Sequence, residues 1–384
     1  MKSVSCTMST LGEIVVFLDS MRRPVKRSER RPGPYPYYGA NGQQGTIDGF
    51  IFDEPLVLLA EDGRHLFEPG RKIAYKITGK TWVNNHAHVL RPKQSVDIDY
   101  LCLVLKHLNV TQHLTGTTRA KLTKAGASRI QIPLPPLAEQ KRIAGILNAA
   151  DELRAKRRES LAQLDTLLQS TFLDMFGDPG GKGWKMTTVK NVAVNEKGGI
   201  RTGPFGSGLL HSEFVEKGVC VLGIDNVVAN KFQEGKSRYI TFQKYKQLQR
   251  YTVKPGDVLI TIMGTCGRCA IVPDNIGTAI NTKHLCCITL SPQKCLPVYM
   301  HSYFLKHPIA CKYLERNAKG AIISGLNMGI IKSLPVPLPP LPLQQRFASI
   351  AESVEHQKTR MRKHLDELDT LFSSLQSRAF NGKL

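Results

Sequence analysis

The stretch PLPPLAEQKRIAG from Pro133 is written again, almost letter for letter, as PLPPLPLQQRFAS from Pro337, 204 residues later. The match runs on without a gap: LAQLDTLLQSTFLDMF from Leu161 aligns with LDELDTLFSSLQSRAF from Leu365. A sequence repeated at a fixed offset folds into repeated structure, so the two copies constrain everything else. Each opens on prolines that forbid helix and favour extended backbone. Each then turns helical. Ile143, Leu147, Ala150, Arg154, Arg157, Leu161, Leu164, Leu168, Thr171 and Met175 follow alternating steps of four and three. Phe347, Ala351, Val354, Lys358, Met361, Leu365, Leu368, Phe372, Leu375 and Ala379 do the same. This is a narrow seam of coiled-coil period, on helices about 55–60 Å long at about 1.5 Å per residue. Gly177-Asp178-Pro179 stops the first helix and Asn381-Gly382 the second. Charged flanks border both seams, so the simplest burial is mutual. Ile143, Leu147, Leu161, Leu164 and Leu168 should pack with Phe347, Val354, Leu365, Leu368 and Phe372. The basic seam positions Arg154, Arg157 and Lys358 should weaken the middle of this coil and help fix its register.

Charge divides the rest of the chain from the repeats. Residues 1–132 carry 19 Lys and Arg against 11 Asp and Glu, and residues 179–336 carry 21 against 8. The repeated segments are close to neutral, 6 against 7 over 133–178 and 7 against 5 over 337–384. Nearly all of the net +22 therefore lies outside the repeats, as expected of a surface for a polyanion such as nucleic acid. No uncharged apolar run has the ~18 residues of a membrane span, and no basic amphipathic helix is suited to lie on one. The N-terminal apolar patch carries Glu13 and Asp19, which a signal peptide would not, so the expected location is the cytoplasm. There the nine cysteines should be reduced thiols.

The unrepeated regions read as mixed α/β. Runs such as GFIFDEPLVLLAEDG from Gly49 and GDVLITIMGTCGRCAIVP from Gly256 alternate with Gly, Pro and Asn turns. The two regions also begin alike, with STLGEIVV from Ser9 and TTVKNVAV from Thr187. The chain thus reads as two copies of one unit, a variable globular head followed by a long helix. The expected segments are 1–132, 133–178, 179–336 and 337–384. A shared scaffold with divergent heads suggests two related tasks on two different targets.

Several segments together carry a resemblance. They are the two proline entries, the closing SLQSRAFNGKL from Ser374, YPYYGANG from Tyr35, GKTWVNNHAHVL from Gly79, RTGPFGSGL from Arg201 and GTCGRCAIVP from Gly264. Over essentially its whole length the chain resembles the specificity subunits of type I restriction–modification enzymes. The resemblance implies an α+β fold, with two α/β target-recognition domains separated by an antiparallel coiled coil of the two repeated helices. It further implies that each domain reads half of a bipartite double-stranded DNA target, and that two methyltransferase subunits and restriction subunits are partners. This subunit would have no catalytic role and no cofactor. S-adenosylmethionine, ATP and Mg would belong to the partners. One departure is Pro342-Leu343, where the first copy has Ala138-Glu139.

Sequence reading needs side chains that pair with base edges, supported by cations on phosphates. RRPVKRSERR from Arg22 supplies Arg22, Arg23, Lys26 and Arg27 beside the Gly-rich loop of Tyr37, Tyr38 and Asn41. Lys80, Trp82, Asn84, Asn85, His86 and His88 add amide, imidazole and aromatic groups. In the second head the candidates are Arg201, Thr202, Phe205, Ser207, Thr265, Arg268, Asn281, Lys283 and His284. Catalytic patterns are poorer. A phosphate loop would need glycine at Ala74 and a helix after Thr81, where Trp82-Val83-Asn84-Asn85 reads as strand and turn. His86-x-His88 shows no third ligand, and Cys266-Gly-Arg-Cys269 meets only the adjacent pair Cys286-Cys287, ill-suited to one tetrahedral ion. No S-adenosylmethionine fingerprint, Asn-Pro-Pro-Tyr motif or nuclease carboxylate cluster is present.

Overall fold

A computed structural model of the protein describes residues 7–62, 73–116, 120–318, 325–381 and 383–384. Gly382, one of the two expected stops, lies outside them. The chain forms two compact units, one of Met1–Arg158 with Lys363–Leu384 and the other of Glu159–Arg362. These units cut across the segments drawn from the sequence. Both repeated helices form, Leu137–Phe176 and Leu341–Phe380, and each is divided near its middle. Every unit therefore holds one head, the first half of its own helix and the second half of the other.

The seam positions are the more buried ones along both helices, with exposed residues between them. Ile143, Leu147, Phe347, Ala351 and Val354 are buried, while Leu161, Leu164, Leu168, Leu365, Leu368 and Phe372 are half-buried. Within the first unit Arg154 bonds Asp369, and within the second Lys358 bonds Asp165. Position n of one helix thus faces position 523 − n of the other, an antiparallel register. Of the three basic seam residues, Arg154 and Lys358 fix that register through ion pairs across the helices, whereas the buried Nε of Arg157 has no hydrogen-bond partner. At the end of the first helix the buried positions move one residue on, to Phe172 and Phe176 instead of Thr171 and Met175. There the helix meets Tyr299 and Trp184 of the second head and Phe347 of the other long helix. Phe380 ends the second helix in the same way, against Tyr100 and His107 of the first head. Pro342 stands in the first turn of the second helix, where its missing N–H costs nothing.

The junction of head and helix is built twice. Thr7–Thr10 pairs antiparallel with Gln131–Leu134, and Met186–Thr188 with Pro335–Pro337. The Tyr100 hydroxyl donates to the Pro133 carbonyl, and the Tyr299 hydroxyl to that of Pro337, at 2.8 and 2.7 Å. Gln140 is buried and its Oε1 accepts the Asp97 N–H at 2.9 Å, while its Nε2 donates to the Ser95 and Pro135 carbonyls. Gln344 repeats this set on Leu296, Lys294 and Pro339.

In the first head the fully buried strand Leu56–Ala60 lies inside a four-stranded antiparallel sheet with Val15–Phe17, Ala87–Pro92 and Ala74–Ile77. A second sheet joins Gly42–Ile47, Tyr35–Gly39, Lys80–Val83 and Phe52–Asp53. Helix Ile98–His107 closes the core with Tyr100–Leu105, six consecutive buried residues. The second head has a four-stranded sheet of Ile200–Thr202, Leu285–Ile288, Val258–Thr261 and Cys269–Ile271, and a three-stranded one of Tyr239–Ile240, Val219–Leu222 and Ala279–Asn281. Cys286 and Cys287 point into different core clusters, as alternation along a strand requires.

Candidate nucleic-acid interface

Three separate stretches of the first head meet at one cleft of about 480 Å³. The basic loop contributes Lys26 and Arg30, the Tyr35–Ile47 hairpin contributes Tyr37 and Gln44, and the turn before Ala87 contributes Asn84, Asn85 and His86. Gly42, at φ +98°, lets the hairpin turn sharply beside exposed Asn41. Tyr37 is buried and is the cleft's support. Its hydroxyl accepts the Val25 N–H at 3.1 Å, and the Arg30 guanidinium lies 3.8 Å over its ring. Asn84 is also buried, with Oδ1 accepting the His86 N–H at 2.8 Å and Nδ2 pointing to Gln44 Oε1 at 3.4 Å. Asn85 and His86 are exposed, and His86 Nδ1 lies 2.8 Å from Asp62.

Other expected residues of this head lie elsewhere. Arg23, Arg27 and Lys80 are exposed outside the cleft, with Lys80 4.8 Å over the Phe50 ring. Tyr38 packs on Tyr75, and Trp82 donates from Nε1 to the Arg23 carbonyl at 2.6 Å. Arg22 and His88 are corrected by the structure, because their polar atoms are consumed inside the domain. Arg22 bonds Glu61, the Ala87 carbonyl and the Asp19 carbonyl. His88 is buried with its two ring nitrogens 2.6 Å from Asp19 and 2.7 Å from the Leu122 carbonyl. Burial alone would push the Asp19 carboxyl up, but the bonds from His88 and the Val89 N–H outweigh it and hold it below its ordinary value.

The second head has a larger concavity of about 780 Å³. Pro204 and Gly206 from the 201–207 loop meet Thr282, Lys283 and His284 there, so two expected stretches converge. Leu209, Phe214 and Ile224 form apolar walls. Lys236, Arg238 and His211 complete the rim, and these the sequence reading missed. A signal for two of them was present: Lys231, Lys236, Arg238, Lys244, Lys246, Arg250 and Lys254 occur with one acid, Glu234, among them. Arg238 is held by Asp225, whose carboxyl burial would raise but whose bonds from Arg238 and the Lys236 N–H bring it below the usual range. Burial, then the Lys283 and Arg238 charges, lower the affinity of His284 for a proton.

Phe205 is 53% exposed, and Ser207, Thr265 and Arg268 are exposed, while Thr202 is half-buried. Arg201 and Asn281 are corrections. Arg201 is buried with its guanidinium on Asp257 at 2.6 Å and on the Thr252 and Gly198 carbonyls. Asn281 is fully buried and donates to the Leu285 carbonyl at 2.9 Å. Both side chains are buried in this conformation, and the Oδ1 of Asn281 has no hydrogen-bond partner there.

The family model for the type I restriction modification DNA specificity domain matches residues 4–164 and 211–369, each match running from a head into its helix. A putative type I restriction enzyme specificity subunit of Haemophilus influenzae is 31% identical over 369 residues, covering 90% of this chain and 86% of that protein. The MjaVIII specificity subunit of Methanocaldococcus jannaschii is 22% identical over 97% of this chain and 92% of its own length. Among solved structures, the S subunit of a type I restriction–modification system from M. genitalium superposes with a TM-score of 0.62 at 14% identity, over 99% of this chain and 97% of that one. No helix among the described residues is long and apolar enough to cross a membrane. With two copies of that domain on a duplicated frame, the chain belongs to the specificity subunits of type I restriction–modification systems, the non-catalytic DNA-recognition members of those enzymes.

Proposed function

We propose that the two heads read the two halves of a bipartite double-stranded DNA target, one half each, through the clefts at Asn85 and at Lys283. The observation that carries this reading is convergence. In each head, stretches far apart in sequence bring cationic and hydrogen-bonding side chains to one concavity, while head and helix are joined by the same bonds in both. Exposed Arg23, Arg27, Lys26, Lys236 and Arg268 supply the phosphate contacts that hold register. The duplicated helices recruit two methyltransferase subunits, one to each copy of the frame, and restriction subunits join that assembly. S-adenosylmethionine, ATP and Mg act on those partners, and this chain holds none of them.

Binding of the isolated chain to duplex DNA, followed across salt concentration, tests the first step. Affinity should fall steeply as salt rises, because neutralised phosphates release counterions. Affinity indifferent to salt would remove the electrostatic basis of the reading. With its methyltransferase bound, the chain should direct adenine methylation to a motif of two fixed parts around an unspecified spacer.

A further inference from the structure

We infer that the two heads read chemically different base pairs, the first an A·T pair through Gln44 and Asn85 and the second a G·C pair through Lys236 and Lys283. This rests on the bipartite reading above and adds the bases to it. In the major groove adenine offers an acceptor beside a donor, which a side-chain amide matches with one acceptor and one donor of its own. Guanine offers two acceptors, N7 and O6, which a lysine or arginine matches with donors alone. The clefts divide along that line.

Three amides line the first cleft, from Gln44, Asn84 and Asn85. Buried Asn84 is committed to the His86 N–H and orients Gln44 by its 3.4 Å contact, leaving exposed Gln44 and Asn85 as the groups able to meet a base. Of the cations of this cleft, Arg30 is engaged internally and Lys26, 82% exposed, is the one the reading above gives to phosphate. Arg30 is stacked on Tyr37 and its Nε donates to the Val25 carbonyl at 3.1 Å, and Lys26 lies 3.6 Å from Glu29. Among the described residues, no asparagine or glutamine lines the concavity of the second head. Its donors are Lys236, Lys283, Arg238, the two imidazoles of His211 and His284, and the hydroxyls of Ser237 and Thr282. Arg238 is tied to Asp225. Lys236 and Lys283 form no ion pair among the described residues, so their ammonium groups are the unpaired cations of that cleft, beside the unpartnered Thr282 hydroxyl and Arg238 Nε.

The test co-expresses the full chain with its methyltransferase partner in a host lacking adenine methylation and maps methylated adenines across the genome. Gln44→Ala and Asn85→Ala should each relax the motif at an A·T pair of one half-site. Lys236→Ala and Lys283→Ala should relax it at a G·C pair of the other, and Lys283→Arg should keep that preference. A matched bidentate contact discriminates against the wrong base by about 5- to 150-fold, so each relaxation should be plain in the motif. The four positions are exposed or half-buried, and an unchanged melting temperature of each purified variant checks that it is folded. Relaxation at a G·C pair by the amide variants, relaxation at an A·T pair by the lysine variants, or an unaltered motif would overturn the inference. A wild-type map without a two-part motif would instead sink the bipartite reading itself.

Discussion

Arg154 donates from Nε to Asp369 at 2.5 Å, joining the two long helices in the first unit. Its counterpart 204 residues on, Lys358, donates to Asp165 at 2.6 Å in the second. The duplication thus repeats an interaction between the copies as well as a sequence. The pairs are not equal in strength. Each cation has a further partner on its own helix, Asp151 for Arg154 and Glu355 for Lys358, but Arg154 also lies 4.3 Å over the Phe372 ring, whereas Asp165 is 65% exposed and strongly screened. Double-mutant cycles should give a coupling of about 1 kcal/mol for Arg154 with Asp369 and about 0.5 kcal/mol or less for Lys358 with Asp165. Equal couplings would mean that the Phe372 contact and the exposure of Asp165 make no difference.

Gln140 and Gln344 are the clearest structural positions in the repeat. Each satisfies one backbone N–H and two carbonyls in a buried joint, so truncation strands polar groups away from water. Gln140→Ala and Gln344→Ala should each cost about 2–3 kcal/mol in denaturant unfolding. A loss below about 0.5 kcal/mol would show that water replaces the amide.

The first unit should be the more acid-sensitive at its Asp19–Arg22–Glu61–His88 network. Burial pushes the Asp19 and Glu61 carboxyls up, but bonds from His88, Lys121 and Arg22 dominate and hold both below their ordinary values of 3.8 and 4.5. Carboxyls lowered on folding contribute stability that is complete above those ordinary values and is lost as pH falls through the lower folded ones. Amide exchange of peptides from Ala87–Pro92 should therefore accelerate below about pH 4. Asp19→Asn should exchange faster at neutral pH and show a flatter acid response. Parallel responses of wild type and variant would rule the network out as the source.

The register gives a test of the helices as a spacer. Residue 161 faces residue 362, so seven residues inserted after Leu161 and seven after Met361 would lie opposite each other and keep both seams in phase. They lengthen the helices by about 10 Å, and the spacer between half-sites should grow by roughly three base pairs with both half-sites unchanged. Four-residue insertions should rotate the seams and abolish methylation. An unchanged spacer with the seven-residue insertions would show that the helices do not set it.

Much of the frame was legible in the sequence because periodicity reports a one-dimensional neighbour relation. The seam from Ile143 to Leu168 is buried or half-buried where its spacing said. The reading slipped at Thr171 and Met175 because the partner there is a globular core, Tyr299 of the head with Phe347 of the other long helix, which selects Phe172 and Phe176. The heads were harder for a related reason. Tyr37, Arg22, His88, Arg201 and Asn281 have the residue types of base readers, yet Arg22, His88 and Arg201 bond internal partners far away in sequence, Asn281 is buried against nearby Leu285, and Tyr37 supports the cleft as a buried strut. Arg201, for example, is bonded to Asp257, 56 positions away. Nothing local in the sequence marks such a pairing. Lys26, Asn85, Lys283 and His284 do reach the clefts, because the Gly-rich turns that suggested close approach also bring the loops together.

The central claim is that two independent readers share one duplicated frame. Exchanging residues 179–336 for the equivalent head of a related specificity subunit, and mapping adenine methylation by the resulting complex, tests it most directly. The account predicts that one half-site is replaced and that the other, with the spacer, is retained. A map in which both half-sites changed together would contradict it.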